Sequence, residues 1–247
     1  MGWGDDILTT GIVKKARLRT NRPICVGDGQ QVHWSAVYDG NPHISREIVP
    51  NCIWVKSAPG LRPYITKIHE WGYEYNDWKA EPGELFLTDE ECDWPEGYIY
   101  IEPNIKAEIS KNKDWGFARW QEVARKAGRK LIQGPGPKLE GVEQVTPKSF
   151  RHACGLLARC SAFIGTDGGL HHAAAALGKK AVVVWTGFSS PKNLGYDFHI
   201  NLQAPVKACG RFKDCEHCRK AAQYISPQMV LDALDRVLRP ELQACDV

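Results

Sequence analysis

One stretch, residues 163–185, constrains the fold more than any other part of the chain. It reads FIGTDGGLHHAAAALGKKAVVVW. The short FIGT ending predicts a strand, the alanine-rich run closed by glycine predicts a helix, and KAVVVW predicts a second buried strand. Strand, tight turn, helix and strand in this order are typical of a parallel α/β sheet.

The DGG turn of this unit falls where parallel sheets bind anions. Such turns lie at the carboxyl edge of the sheet, and the next helix directs free N–H groups and about half a positive charge towards them. Gly168 and Gly169 would let backbone amides approach a phosphate, while Asp167 and His172 could hold a ribose hydroxyl or a phosphate oxygen. This stretch alone fits a purely structural interpretation equally well, in which the two glycines only make a tight connection and His172 packs on the helix.

The same alternation of strands and helices runs through the C-terminal half. Strands are predicted at YIYIEP, RKLIQ and HINL, and helices at FARWQEVARKAG and KSFRHACGLLARC. A last amphipathic helix is predicted to begin after Ser226, with Pro227 in its first turn. The pattern predicts a Rossmann-like parallel sheet.

Residues 1–95 are less regular. Short strand candidates at PICV, CIWV and ELFL are separated by stretches rich in Trp, Tyr, Pro and Gly. We therefore predict two α/β domains, a reduced N-terminal domain at residues 1–95 and a Rossmann-like C-terminal domain at residues 96–247.

The opening GWGDDILTT places two acids directly ahead of a helical run. It lacks the GxGxxG fingerprint of dinucleotide-binding proteins, which argues against a dehydrogenase. Asp5 and Asp6 can serve chemistry, or they can simply favour a helix N-terminus, where an acid gains about 0.3–1 kcal/mol.

The nine cysteines are scattered, which predicts that most are reduced and packed. The segment CGRFKDCEHC is the exception, because it brings Cys209, Cys215 and Cys218 close together with His217. These side chains could hold a structural zinc ion, although the usual second pair of ligands is missing. The alternative is a loop of free thiols.

The net charge and the hydropathy of the chain argue against a dedicated duplex-DNA binder and against a membrane-spanning protein. A formal net charge of +3 and a pI near 8.3 are too mildly basic for a dedicated duplex-DNA binder, yet they leave a polyanionic partner open. No apolar run is long enough to span a membrane, and the chain opens with no signal-peptide pattern, so we expect a cytoplasmic location.

Three motifs together resemble glycosyltransferase family nine, the ADP-heptose:lipopolysaccharide heptosyltransferase type. GWGDDILTT resembles the family's GxGDxLLTT opening, and NKDWGFARWQEVA resembles its K-x-W-P-x-x-x-W segment. GTDGGLHHAAAALGKKAVVVW resembles its DTGLSHLAAALGKPVVALF signature. The resemblance covers about the first 20 residues and most of residues 98–240.

This resemblance implies a GT-B fold, in which two Rossmann-like domains face a cleft, and inverting sugar transfer without a metal ion. Asp5 matches the family's proposed catalytic base, and Lys113 matches its phosphate-binding lysine. The donor-binding signature falls on five residues, namely Thr166, Asp167, Gly168, Gly169 and His172. If the opening is helical, Asp5 and Asp6 diverge by about 100°, so we expect Asp5 to face the cleft and Asp6 to interact with free N–H groups at the helix start.

We therefore expect a glycosyltransferase that moves a sugar from a nucleotide-diphosphate sugar to an acceptor hydroxyl and requires no further cofactor. A glycan is the expected acceptor, with a modified nucleic-acid base as the alternative. Two other functions share the donor site and stay open at this point, a non-catalytic nucleotide-sugar-binding protein and a nucleotide-sugar epimerase.

Overall fold

The computed structural model describes residues 2–57, 61–106 and 111–239. The helices are α1 Trp3–Arg17, α2 Phe117–Lys126, α3 Phe150–Arg159, α4 Gly169–Ala176, α5 Pro191–Leu194, α6 Glu216–Tyr224 and α7 Pro227–Leu238. The strands are β1 Ile24–Gly27, β2 Ile44–Ser45, β3 Ile53–Lys56, β4 Ile65–His69, β5 Gly72–Tyr75, β6 Ile99–Glu102, β7 Leu131–Gln133, β8 Glu143–Gln144, β9 Ala162–Thr166, β10 Ala181–Trp185 and β11 Ile200–Gln203. Short 3₁₀ turns lie at Ala36–Tyr38 and Lys111–Lys113.

The C-terminal sheet has six parallel strands in the order β11-β10-β9-β6-β7-β8. The strand order reverses between β6 and β9, which pair directly although α2, β7, β8 and α3 separate them along the chain. Loops leave such a reversal point in opposite directions and open a crevice at the carboxyl ends of the two strands. The predicted α/β fold is confirmed, and the reversal point predicts where a ligand would bind.

The helices of this sheet begin at the caps that the sequence indicates. The hydroxyl of Ser149 accepts a hydrogen bond from the His152 N–H at the start of α3. Ser226 does the same for the Met229 N–H at the start of α7, where Pro227 occupies the first turn. Each cap satisfies an N–H group that has no partner within its helix.

The N-terminal part is built on a smaller parallel sheet of three strands, in the order β2-β1-β3. A separate antiparallel hairpin, formed by β4 and β5, carries a bulge between Ile65 and Lys67. The predicted division into residues 1–95 and 96–247 stays a prediction, and residues 240–247 lie outside the described residues.

One hydrophobic core joins the N-terminal helix to the large sheet. Ile7 and Leu8 of α1 belong to the same buried cluster as Ala173 of α4 and Trp185 of β10. The other face of the large sheet is covered by α2 and α7, which bury Trp120 and Leu234 there. No helix among the described residues is both long and apolar enough to cross a membrane.

Two expectations about elements are wrong. ELFL forms no strand, and its backbone binds side chains instead: the Glu84 N–H donates to Thr10 Oγ1 and the Phe86 carbonyl accepts from Arg151. The predicted cysteine-containing loop is in part helical, since α6 begins immediately after Cys215.

Candidate active site

A cleft of about 520 Å³ opens at the carboxyl ends of β6 and β9, at the reversal point of the large sheet. This volume is within the range of small-molecule sites. All seven residues predicted for catalysis and donor binding line it: Asp5, Lys113, Thr166, Asp167, Gly168, Gly169 and His172. Residues that are far apart in sequence therefore meet in one cavity.

Asp167 is the buried anchor of the cleft. Its Oδ2 lies 2.7 Å from Lys113 Nζ and accepts a hydrogen bond from Ser189 Oγ at 2.5 Å. Burial alone would raise the pKa of Asp167, but the charge and hydrogen bond of Lys113, together with the neighbouring His172 and His171, outweigh it and hold that pKa well below its usual range. The site thus keeps an ionised carboxylate beside a lysine that is still partly open to the cleft.

The position of Lys113 is fixed by its neighbour Asn112, which is buried in the 3₁₀ turn. The Asn112 amide donates to the carbonyls of Arg211 and Lys213, at 2.6 and 2.8 Å, and its Oδ1 accepts from the Cys215 N–H. The segment that carries Lys113 is therefore tied to the loop before α6.

The DGG turn brings α4 and α1 close together. A Cβ atom on Gly168 would meet nothing within 4 Å, so this residue leaves its backbone open to the cleft. A Cβ atom on Gly4 of α1 would lie only 3.0 Å from the His172 ring and 3.4 Å from the Gly169 Cα. Glycine at position 4 thus allows the N-terminal helix to reach the start of α4.

Three buried histidines, the histidine cluster His171, His172 and His199, lie behind the turn. The His171 ring is 4.7 Å from that of His172 and 5.5 Å from that of His199. Burial lowers the pKa of both His172 and His199 to about 4, and it lowers the pKa of His171 well below its usual value. All three rings are therefore neutral at pH 7.

The same region contains a set of side chains that a cation could use. Ligand atoms of Asp167, His171 and His172 lie within 4.8 Å of one another, and neither ring nitrogen of His171 has a hydrogen-bond partner among the described residues. Lys113 already supplies a positive charge at Asp167 Oδ2. The carboxylate is therefore neutralised by the chain itself.

Asp5 faces the cleft from α1, where two residues that the sequence analysis missed hold its carboxylate. Tyr64 donates to Oδ1 at 2.7 Å, and Arg62 Nε donates to Oδ2 at 3.0 Å. Burial and the Asp5 charge raise the pKa of Tyr64 well above its usual value, so it remains a donor. Neither residue lies in a recognisable motif, and only the folding of the hairpin brings them to Asp5.

The expected position of Asp6 at the free N–H groups of the helix start is wrong. Asp6 is buried and accepts a hydrogen bond from Ser35 Oγ at 2.8 Å, and its burial raises its pKa. Asp5 instead accepts a hydrogen bond from the Gly2 N–H, at 3.5 Å. The two acids do diverge, since Asp5 lines the cleft and Asp6 is buried against Ser35.

Glu102 is another cleft residue that the sequence analysis did not identify. It ends β6, accepts the Asn104 N–H at 2.9 Å, and has a pKa that burial raises to about 7. A carboxyl group at this pKa can accept or donate a proton near neutral pH. Its place at the end of a buried strand, in YIYIEP, was the available signal.

The three cysteines considered for zinc do come together, outside the cleft. Cys209 Sγ lies 3.8 Å from Cys215 Sγ and 3.2 Å from Cys218 Sγ. His217 is not part of this group, because its Nε2 is 3.0 Å from the Lys207 carbonyl oxygen.

Comparison with known proteins supports the family resemblance. Residues 137–227 match the family model of glycosyltransferase family 9 (heptosyltransferase), so the resemblance inferred from the motifs is confirmed over this part of the chain. A comparison with curated proteins gives no match.

Solved structures share the fold along most of the chain. A family 9 glycosyl transferase from Veillonella parvula DSM 2008 has a TM-score of 0.65 at 17% identity, covering 96% of this chain and 94% of that one. The iron-containing dodecameric glycosyltransferase TibC from enterotoxigenic E. coli H10407 also has a TM-score of 0.65, at 16% identity, with 96% and 73% covered. The GT-B fold type is thus confirmed.

E. coli ADP-heptose lps heptosyltransferase II gives a more partial match. Its TM-score is 0.50 at 19% identity, and 63% of this chain and 53% of that chain are covered. The chain therefore spans about half the length of this neighbour.

Proposed function

We propose that this protein is an inverting glycosyltransferase that transfers a sugar from a nucleotide-diphosphate sugar to an acceptor hydroxyl, with no metal ion in the chemical step. The observation that carries the proposal is that the Asp5 carboxylate on α1, the glycine turn before α4 and Lys113 line one cleft. Inverting transfer needs a base and a site for an anion, because the base must take the acceptor proton while the diphosphate leaves.

In this proposal Asp5 is the general base. Tyr64 and Arg62 each donate one hydrogen bond to its carboxylate. Since each carboxylate oxygen has two lone pairs, the group can still accept a proton from a sugar hydroxyl in the cleft. As that oxygen attacks the anomeric carbon from the face opposite the diphosphate, the sugar–phosphate bond breaks and the configuration inverts.

The leaving diphosphate is proposed to bind at the start of α4. Gly168 leaves the backbone accessible, and the first N–H groups of α4 have no acceptor within their helix. Lys113 is held in place by its ion pair with Asp167, and because its side chain remains partly exposed it can also donate hydrogen bonds to a phosphate oxygen. Together these groups would stabilise the charge that a metal ion neutralises in other transferases.

The walls of the cleft suit a sugar and a base. Trp3 stacks on Phe150 with ring centroids 5.1 Å apart, and both residues line the cleft. Aromatic faces of this kind pack against the apolar faces of sugar rings and bases. One structural neighbour is an ADP-heptose heptosyltransferase, so an ADP-sugar is the first donor to test.

The test incubates the purified protein with ADP-, UDP- and GDP-sugars, alone and with glycan or nucleic-acid acceptors. We expect release of nucleoside diphosphate to depend on an acceptor and the product to have the inverted anomeric configuration by NMR. A donor that is epimerised without acceptor would identify an epimerase instead. A donor that binds but is never consumed would favour a non-catalytic binding protein.

A further inference from the structure

Three thiols converge at one point beside the candidate active site. Ligand atoms of Cys209, Cys215 and Cys218 lie within 4.8 Å of one another, and Cys215 and Cys218 are buried. We propose that these three cysteines bind a structural Zn²⁺ ion as thiolates, and that the ion fixes the loop that positions Lys113. This inference does not depend on the proposed function.

The sulfur positions fit a shared metal ion better than a disulfide. A disulfide joins sulfurs at about 2.05 Å, whereas those of Cys209 are 3.8 and 3.2 Å from their two neighbours. Zn–S bonds of about 2.3 Å in a tetrahedral site place sulfurs about 3.8 Å apart. Only small side-chain movements would bring all three thiolates to one ion.

The backbone around the thiols is already organised. Cys215 is the N-cap of α6 and Cys218 lies in its first turn, where the helix dipole favours thiolates. On the other side of the site, the Cys209 N–H donates to the Gly187 carbonyl at 2.9 Å. Gly210 follows with φ +63°, which turns the chain back towards α6. The site is therefore formed by a turn and a helix start.

An apolar shell covers the thiols. Phe188 forms a small buried cluster with Cys215 and Cys218, and Tyr73 packs against it. This shell would shield metal–thiolate bonds from water. Thiolates select soft or borderline cations such as Zn²⁺ over Mg²⁺ and Ca²⁺, which prefer oxygen ligands.

The loop that holds the thiols contacts the segments that build the cleft. The Asn112 side chain, next to Lys113, binds the carbonyls of Arg211 and Lys213 and the Cys215 N–H. The Tyr73 N–H of the hairpin donates to the Gly210 carbonyl at 3.0 Å. An ion at the thiols would therefore stabilise the lysine turn and the hairpin that follows Arg62 and Tyr64.

The experiment measures metal content. Wild type is purified in a reducing buffer without a metal-affinity tag and analysed for all transition metals, and metal-free reduced protein is titrated with Zn²⁺ and with Co²⁺. We expect about one Zn²⁺ per chain, or its uptake by metal-free protein, and a cobalt–thiolate charge-transfer band on Co²⁺ addition. Removal of Zn²⁺ is expected to lower the melting temperature.

Cys215→Ser and Cys218→Ser, alone and combined, are expected to lose the metal. Cys92→Ser is the matched control, since Cys92 is a free thiol in a different loop. Wild type that takes up neither Zn²⁺ nor Co²⁺, or a folded double variant that retains the metal, would overturn the proposal, as would iron rather than zinc at these thiols. Because the cobalt titration uses wild type, the test stands even where a serine variant does not fold.

Discussion

The hydroxyl of Tyr64 donates a hydrogen bond to the carboxylate of Asp5 at 2.7 Å, although 59 positions separate the two residues in the chain. Arg62 holds the other oxygen of the same carboxylate. The proposed base is therefore oriented by a segment outside its own helix, which fixes its direction into the cleft.

Asp5→Asn is expected to lower the transfer rate by roughly 10²- to 10⁴-fold, the contribution of a general base. An asparagine can still accept the hydrogen bond from Tyr64, so donor affinity should stay nearly unchanged. Single-turnover kinetics and calorimetry with the donor measure the two quantities separately. Wild-type turnover in this variant, with chemistry rate-limiting, would exclude Asp5 as the base.

Asp6→Asn is the matched control, because Asp6 is buried away from the cleft. The transfer rate should change little. Since burial raises the pKa of Asp6 above its unfolded value, its ionisation costs stability as pH rises through that interval. Relative to wild type, Asp6→Asn should therefore be more stable at pH 7 than at pH 4. Denaturant titration at the two pH values measures this as a larger free energy of unfolding of the variant relative to wild type at pH 7.

Lys113→Ala is expected to weaken nucleoside diphosphate binding by about 10- to 100-fold. The variant loses a charge partner for phosphate and leaves the buried Asp167 carboxylate unpaired beside it. Adding Asp167→Asn should recover part of the affinity, because it removes that repulsion. Calorimetry with ADP and UDP tests both variants, and equal affinity of wild type and Lys113→Ala would count against a phosphate-binding role.

EDTA is expected to leave sugar transfer intact during a short assay, because Lys113 and the start of α4 supply the positive charge at the proposed diphosphate site. The measurement compares initial rates with and without chelator. If transfer is lost and Mg²⁺ or Mn²⁺ restores it, the metal-free mechanism is wrong. Recovery with Zn²⁺ alone would instead reflect the thiol site.

The histidine cluster should make the protein less stable in mild acid. The folded pKa values of His172 and His199 are about 4, whereas an unfolded histidine titrates near 6.5. Between these values the unfolded state binds more protons, so stability falls as pH decreases. The free energy of unfolding should drop by about 1.4 kcal/mol per pH unit for each buried histidine.

His199→Gln tests this dependence, with His43→Gln as a control outside the cluster. Between pH 6 and 4.5, the cluster variant should show a shallower slope of stability against pH than wild type, and the control should keep the wild-type slope. Identical slopes in all three proteins would show that burial of His199 does not govern acid stability.

Hydrophobic periodicity and helix caps predicted most of the strands and helices of the C-terminal half. The unit around Phe163 and Trp185, and the helix that begins after Ser226, follow from hydrophobic period and caps. The meeting of the predicted donor-binding residues in one cleft follows too, because the carboxyl ends of neighbouring parallel strands lie at one edge of the sheet.

The remainder depends on contacts between distant segments. Arg62 and Tyr64 reach Asp5 only because the segment before β4 lies against α1, and no period in the sequence encodes that contact. ELFL has the composition of a strand, yet its backbone forms hydrogen bonds with the side chains of Thr10 and Arg151 rather than with a neighbouring strand. Tertiary hydrogen bonds overrode strand propensity there.

The contact between Gly4 and the start of α4 has a consequence for biosynthesis. The helix α1 is synthesised well before α4, which provides part of the surface that covers it. At roughly 5–20 residues per second, the apolar side chains of α1 wait on the order of ten seconds or more for this partner. The packing of α1 against α4 is therefore a late step of folding during synthesis, completed after the strands of the N-terminal sheet have been made.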